Sequence, residues 1–129
     1  MAGRCLLDTS IAIALFRGES EVRRQIERAG EVYLSCIVVG ELLYGALHSE
    51  RVAANLARVT DLASEAPVLN CDAGTADTYA RIKRQLRELG RLIPDNDLWI
   101  AATAHQHELT LVSRDSHFSE IPDLHQESW

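Results

Sequence analysis

Near its start the chain reads Arg4-Cys-Leu-Leu-Asp8-Thr-Ser-Ile-Ala-Ile-Ala-Leu-Phe16, and this stretch indicates the fold. The apolar residues up to Leu7 predict a short strand that ends at Asp8. The run from Thr9 to Phe16 predicts a helix, which the following Arg17-Gly18 ends. A strand that passes directly into a helix is the first half of a βαβ unit, in which the strands lie parallel and buried.

The same alternation continues along the rest of the chain. Further strands are predicted over 32–34, 67–69, 110–112 and 124–125, and further helices over 19–29, 37–48, 49–64, 72–89 and 95–107. Ser35 and Asp72 stand where helix N-caps are expected. The sequence therefore predicts one α/β domain over residues 1–129, a three-layer α/β/α sandwich around a central, mainly parallel sheet.

The composition supports a folded chain and excludes one mode of nucleic-acid binding. The 129 residues are 47% apolar, which is enough for a core and argues against disorder. The net charge of −6 argues against a protein that holds nucleic acid by bulk positive charge. The whole excess lies in residues 92–129, which carry one basic and seven acidic side chains.

The cysteines and the hydropathy pattern indicate a soluble, cytoplasmic protein. Cys5, Cys36 and Cys71 form no Cys-x-x-Cys pair, which favours buried free thiols in a reducing compartment. No apolar run reaches the roughly 18 to 20 residues that span a bilayer. We therefore expect no membrane association.

Four carboxylates stand out by their positions relative to the predicted elements. Asp8 follows the first strand and Asp115 follows the fourth, so both are expected in the crevice at the carboxyl ends of the strands. Asp97 lies in the first turn of an otherwise apolar helix. Glu41 is the only charge in residues 37–47, a stretch that is expected to be largely buried. Structural alternatives exist for three of them: Asp8 as a helix cap, Asp97 as a complement to the helix dipole, and Asp115 as a turn residue.

Glu41 is the hardest of the four to explain structurally, because a buried carboxylate needs a partner. No basic residue lies within four positions of it, so the partner is either a distant arginine or a cation. Four carboxylates at one crevice repel one another, and sites of this kind bind hard divalent ions such as Mg²⁺. His105 and His107 do not share a helix face, which argues against zinc.

Together these segments resemble the PIN-domain nucleases, and more narrowly the VapC-type toxins of bacterial toxin–antitoxin pairs. The resemblance covers essentially the whole chain. The segments that carry it are Leu6-Leu7-Asp8-Thr9-Ser10-Ile11, Glu41 in Val-Val-Gly-Glu-Leu-Leu-Tyr-Gly, Asn96-Asp97-Leu-Trp-Ile-Ala-Ala-Thr-Ala, and Thr110-Leu-Val-Ser-Arg-Asp115-Ser-His-Phe118. Any one segment is a weak signal, whereas four in series are specific.

The resemblance implies a metal-dependent endoribonuclease and assigns roles by motif match. Asp8 and Asp97 would be the principal Mg²⁺ ligands, with Mn²⁺ as an alternative ion, and Glu41 and Asp115 would complete the acidic site. Thr9 or Ser10 matches the small hydroxyl residue that orients ligands or substrate. Asp95, beside the expected Asn96-Asp97 pair, is interpreted as part of the helix cap.

The chemistry can also be argued without the family. Phosphodiester hydrolysis needs an activated water and stabilisation of negative charge, and divalent ions supply both. This route requires no histidine base, and none is expected in these motifs. It would leave a 5′-phosphate and a 3′-hydroxyl.

The basic residues offer a separate hypothesis about substrate binding. Five of the 13 basic side chains lie within eleven positions, namely Arg81, Lys83, Arg84, Arg87 and Arg91. They form either a solvated helix face or an edge that contacts RNA phosphates, the arginines being the candidates. The low aromatic content argues against a base-stacking platform, and Trp99 is expected in the core.

The resemblance also implies two protein partners. One is a second copy of the chain, because such toxins usually dimerise. The other is a small antitoxin of the VapB type that lies along the toxin and occludes the acidic crevice.

Other functions share parts of this pattern. Aspartyl-phosphate enzymes and receiver domains also place an Asp after the first strand, but Ser10 stands where a dehalogenase-like phosphatase needs a second Asp. A receiver needs a lysine late in the chain, and Lys83 is the only lysine. If the chain is a PIN-domain protein, the alternatives to a toxin are a housekeeping RNA-processing or decay nuclease and a catalytically inactive binding module.

Overall fold

The computed structural model describes residues 3–129, which form five strands, six α-helices and one 3₁₀ turn. The strands are β1 Arg4–Leu7, β2 Glu31–Ser35, β3 Val68–Leu69, β4 Thr110–Val112 and β5 Gln126–Glu127. The helices are α1 Thr9–Phe16, α2 Ser20–Arg28, α3 Cys36–Leu47, α4 Val52–Glu65, α5 Ala73–Glu88 and α6 Asp95–Gln106. The 3₁₀ turn is Ser116–Glu120.

The five strands form one sheet in the order β3-β2-β1-β4-β5, and every pairing is parallel. The predicted α/β class with a central parallel sheet is therefore confirmed. In the middle strand, Leu6 lies opposite Tyr33 of β2 on one side and Leu111 of β4 on the other. Because the chain leaves β1 towards β2 and later enters β4 on the other side, a crevice opens beyond the ends of β1 and β4.

The core lies on both sides of β1 and includes one face of almost every helix. Leu6 and Leu7 of β1 are fully buried, and so is the run Ile100–Ala104 of α6. Trp99 was expected in the core, but it is only half-buried, and it stacks on Tyr79 of α5. Their ring centroids lie 4.0 Å apart with an interplanar angle of 8°.

Most predicted boundaries agree with the structure to within one or two residues. Both predicted N-caps are confirmed: the Ser35 hydroxyl accepts from the Val38 N–H, and Asp72 forms a capping box with Thr75. The last strand lies two residues later than predicted. The fourth helix begins at Val52 rather than at Ser49, whose hydroxyl donates to the Ala46 carbonyl and so closes the end of α3.

Two expectations about burial are wrong. Residues 37–47 were expected to be largely buried, yet Tyr44 is 65% exposed and Leu47 is 58% exposed. Cys5 is buried as expected, whereas Cys71 is exposed and Cys36 is half-buried. The Cys36 and Cys71 sulfurs lie 3.8 Å apart as free thiols. Among the described helices, none is long and apolar enough to cross a membrane.

Candidate metal centre

The predicted carboxylates lie where β1 and β4 end side by side. Asp8 follows β1 directly, and its backbone N–H donates to the Val112 carbonyl at the end of β4 over 2.9 Å. The turn that follows β4 and the first turn of α6 lie next to this position. Topology thus brings residues that are about 100 positions apart in sequence to one crevice.

Asp8 occupies the N-cap position of α1 but does not cap it. Its side chain makes no cap hydrogen bond, and its Oδ2 accepts instead from the Ser113 hydroxyl at 2.6 Å and the Ser10 hydroxyl at 3.2 Å. Asp8 is only 5% exposed. Over residues 3–129 no basic side chain pairs with it. The capping interpretation is therefore wrong, and two hydroxyl groups orient a buried carboxylate.

Asp97 is the third residue of α6, and its side chain is 14% exposed. Burial raises the pKa of this carboxyl, and the nearby negative charges of Asp115 and Asp8 raise it further. The hydrogen bond from His117 acts in the opposite direction but does not outweigh them. These surroundings disfavour the charged form of Asp97, which is the electrostatic condition that a bound cation relieves.

Asp115 and His117 complete a group of three candidate ligands with Asp97. Asp115 caps the 3₁₀ turn by accepting from the His117 backbone N–H at 2.9 Å. The His117 Nδ1 lies 3.0 Å from the Asp97 Oδ2 and 3.1 Å from the Asp115 Oδ1. One atom from each residue falls within 4.8 Å of the other two. His117 belongs to the fourth of the quoted segments, in which no role was assigned to a histidine from the sequence.

Glu41 lies outside this group of three, on the far side of Thr9. Its Oε1 accepts from the Thr9 hydroxyl at 2.7 Å, and both residues line a cavity of about 570 Å³ that Asn96 also lines. In the part of the chain that the structure describes, no arginine pairs with Glu41. The distant arginine considered from the sequence is therefore absent there. A hydroxyl group next to Asp8 holds the carboxylate instead.

Sequence reasoning missed Ser113 and His117. Ser113 is 1% exposed, and its hydroxyl both donates to Asp8 and accepts from the Asp115 backbone N–H at 2.9 Å. It therefore couples two of the predicted acids. The available signal was its position directly after β4, where a parallel strand delivers side chains to the crevice.

Asp95 is not the helix cap that the sequence suggested. The structure begins α6 at Asp95 itself, after Pro94, and no side chain caps this end. The Asp95 carboxylate accepts from the Tyr79 hydroxyl at 3.0 Å and pairs with Lys83 at 3.4 Å. These contacts tie the start of α6 to α5 and lower the pKa of Asp95.

The arginines of the predicted basic cluster, on α5 and just after it, differ in whether an acidic side chain pairs with them. Arg81 pairs with Asp77, Arg84 with Glu88, and Arg91 with Glu120, each within 3.1 Å. Arg87 is exposed and has no acidic partner among residues 3–129. Of the four predicted phosphate contacts, Arg87 is therefore the one whose charge is not locally compensated.

Arg114 points away from the crevice and fastens the turn that carries the acids. Its guanidinium contacts both carboxylate oxygens of Glu19, at 2.7 and 3.1 Å, and its Nε donates to the Trp129 carbonyl. These hydrogen bonds lower the pKa of Glu19. The loop after β4 is thus tied to the start of α2 and to the C-terminus.

This pairing predicts a pH-dependent contribution to stability. A carboxyl whose pKa is lowered on folding stabilises the fold above its unfolded pKa, and the contribution is lost as the pH falls through the folded pKa. Glu19→Gln should therefore lower the melting temperature slightly at pH 7, as for exposed pairs, and the difference from wild type should vanish in acid. Thermal unfolding of both proteins from pH 7 to 3 measures this. A difference that does not shrink as the pH falls below the unfolded pKa would contradict the assignment.

Comparison with known proteins gives a consistent result. The family model described as PIN domain matches residues 5–124. The chain is 35% identical over 127 residues to Ribonuclease VapC2 of Haemophilus influenzae, covering 96% of each chain. It is 30% identical over 127 residues to the tRNA(fMet)-specific endonuclease VapC of Shigella flexneri, again covering 96% of each. The DNA-bound VapBC structure from Salmonella typhimurium contains a chain with 27% identity and a TM-score of 0.91, covering 100% of this chain and 99% of that one.

Proposed function

The chain belongs to the PIN-domain family, among the VapC ribonucleases, and on that premise we propose that it is a metal-dependent endoribonuclease that hydrolyses RNA phosphodiester bonds. We further propose that it is the toxin of a toxin–antitoxin pair, neutralised by a VapB-type antitoxin. The observation that carries the catalytic proposal is the acidic crevice, in which three carboxylates lie near the single imidazole of His117. Asp8 faces it from the end of β1, Asp97 from α6, and Asp115 from the start of the 3₁₀ turn.

The donor set fits a divalent cation. Three carboxylates lie close enough that their charges disfavour ionisation of Asp97, and over residues 3–129 only the imidazole of His117 offers positive charge among them. Carboxylate oxygens are the ligands that Mg²⁺ and Mn²⁺ accept. Asp8 and Asp97 would hold the ion, with Asp115 and Glu41 as secondary acids.

A bound Mg²⁺ or Mn²⁺ supplies Lewis-acid chemistry for phosphodiester hydrolysis. The residues of the chain prepare the crevice for it. Ser113 and Ser10 donate to one oxygen of Asp8 and fix the orientation of this carboxylate. Thr9 does the same for Glu41. Such fixed orientation limits the reorganisation needed when substrate binds.

The first test of this function is RNA cleavage by the purified protein. Total cellular RNA should be cut in Mg²⁺ or Mn²⁺ and remain intact with excess chelator, and restored metal should restore cleavage. Mapping of the new 5′ ends should show 5′-phosphates. Cleavage that continues in chelator would contradict the metal-dependent mechanism.

Arg87 is the proposed phosphate contact on α5, because Arg81, Arg84 and Arg91 are each paired with an acid. Arg87→Ala should weaken RNA binding. It should also make the plot of log binding constant against log salt concentration less steep, by the amount expected for about one lost phosphate contact. Arg81→Ala is the matched control, since it removes one positive charge from the same helix. Equal salt slopes for wild type and Arg87→Ala would show that this face does not contact RNA.

The toxin role is supported by the VapBC complexes among the structural neighbours. Homodimerisation, which the family resemblance suggested, belongs to the same proposal. Expression in a bacterial host should arrest growth, and Asp8→Ala should relieve the arrest. Normal growth with active nuclease in the cell would favour the housekeeping alternative. Intact RNA with purified protein and metal would favour an inactive binding module.

A further inference from the structure

The imidazole of His117 is placed in the crevice by the local fold rather than by chance. Its backbone N–H donates to the Asp115 carboxylate in the first turn of Ser116–Glu120. The next residue, Phe118, is 1% exposed and anchors this turn in the core. With its backbone fixed on both sides, His117 directs Nδ1 towards two carboxylates that come from different elements.

The distances from the His117 Nδ1 to its two carboxylate neighbours fit a metal ligand as well as a hydrogen-bond donor. Nδ1 lies 3.0 Å from the Asp97 oxygen and 3.1 Å from the Asp115 oxygen. A ring nitrogen carries at most one proton, which these two oxygens would have to share, whereas an ion bound to the same nitrogen could be bound by both carboxylates. Ligand atoms on adjacent corners of an octahedron, each about 2.1 Å from the ion, are separated by about 3.0 Å. The separations of 3.0 and 3.1 Å are compatible with that edge as well as with hydrogen bonds from a protonated ring.

We infer that His117 is itself a ligand of the proposed metal centre, through Nδ1, and that it makes the site select Mn²⁺ over Mg²⁺. The inference rests on the proposed function only in requiring that a divalent ion binds between Asp97 and Asp115. It adds a nitrogen donor to the four carboxylates that the sequence indicated.

The selectivity follows from the chemistry of the donors. Mg²⁺ prefers oxygen ligands and retains much of its water, whereas imidazole nitrogen suits first-row transition ions. Mn²⁺ shares the preference of Mg²⁺ for carboxylate oxygen but, as a first-row transition ion, binds imidazole nitrogen more readily than Mg²⁺ does. A mixed set with one imidazole therefore favours Mn²⁺, while the carboxylates alone would accept either ion.

Metal binding by the purified full-length protein tests this directly, with MnCl₂ and MgCl₂ as the probes. Calorimetric titration gives both affinities, and pulsed electron paramagnetic resonance of the Mn²⁺-loaded protein detects a nitrogen bound to the ion. His117→Ala should remove the nitrogen coupling and weaken Mn²⁺ binding by at least about tenfold. Mg²⁺ binding should change much less.

Two further variants separate ligation from a general effect on the fold. His117→Asn keeps a polar side chain and offers an oxygen, so it should lose the nitrogen coupling and shift the preference towards Mg²⁺. His105→Ala removes an exposed histidine from α6, the helix that carries Asp97, and should match wild type in every measurement. Circular dichroism in chelator checks that each variant is folded.

The outcomes distinguish this inference from the proposed function. Nitrogen coupling that His117→Ala abolishes and His105→Ala retains supports His117 as a ligand. Tight Mn²⁺ binding without nitrogen coupling, unchanged in His117→Ala, overturns the inference and leaves the metal centre intact. A wild-type protein that binds neither ion overturns the metal centre, and the inference with it.

Discussion

Asp97→Asn is expected to reduce RNA cleavage by about a thousandfold or more, corresponding to about 4 kcal/mol of lost transition-state stabilisation. The substitution keeps the shape of the side chain but removes the charge with which Asp97 would hold the cation. Asp97 is central to the crevice, because it contacts His117 and experiences the charges of both Asp8 and Asp115.

The same substitution should not destabilise the metal-free protein. Burial and neighbouring acids raise the pKa of Asp97, so the charged carboxylate opposes folding at neutral pH. Removing that charge should leave the melting temperature in chelator equal to that of wild type or higher. Loss of activity with retained or increased stability is typical of a functional residue. Its buried charge is unfavourable for folding but is needed for the reaction.

Single-turnover cleavage and thermal unfolding, measured on the same preparations, test both parts. Asp61→Asn on α4 is the matched control, because it removes an equal charge from an exposed helix and should leave cleavage unchanged. Cleavage by Asp97→Asn at the wild-type rate would contradict the proposed metal centre. A large fall in melting temperature would instead assign Asp97 a structural role.

The sequence allowed the acids to be located because their convergence depends only on topology. Asp8 and Asp115 follow parallel strands, and the carboxyl ends of such strands meet at one edge whatever the details of packing. The strands and helices themselves were predictable from apolar periodicity and from caps such as Ser35. These signals are local, so a single sequence contains them.

His117 and Ser113 were not predictable by the same reasoning, because their roles depend on side-chain directions. His117 reaches Asp97 because the backbone is held on both sides of it. Asp115 caps the 3₁₀ turn before His117, and Phe118, the residue after His117, is buried. A turn of five residues has no periodicity to read. Glu41 shows the complementary limit: a lone acid in an apolar helix signalled a missing partner, but the partner was the hydroxyl of Thr9 on a different helix.

The exposed face of α3 illustrates why apolar sequence does not specify burial. Tyr44 and Leu47 lie in an apolar run that predicted a buried helix, yet their side chains face outward. Hydrophobicity indicates that a surface is better removed from water, and it does not say whether the same chain removes it. The net charge has a similar ambiguity, since part of the acidic excess in residues 92–129 belongs to the candidate centre rather than to an acidic surface.

Phe118→Ala is expected to have the largest effect on stability, and it should reach the candidate centre through the fold. Phe118 is among the largest fully buried side chains, and its truncation leaves a cavity. Such substitutions cost about 3–5 kcal/mol, a large share of the roughly 5–15 kcal/mol that stabilises a domain. Chemical denaturation in chelator measures the loss, and Phe118→Leu, which retains most of the volume, should lose much less.

Phe118→Ala is also expected to weaken metal binding, separately from its loss of stability. Phe118 fixes the turn that presents Asp115 and His117, so Phe118→Ala should weaken Mn²⁺ binding even under conditions where the variant remains folded. Leu62→Ala on α4 makes a cavity on another helix and should lose about 2–5 kcal/mol without weakening Mn²⁺ binding. If both variants bind Mn²⁺ as wild type does, the centre does not depend on the turn. If both lose it equally, binding reports global stability only. A loss confined to Phe118→Ala would show that one buried ring sets the geometry of the ligands beside it.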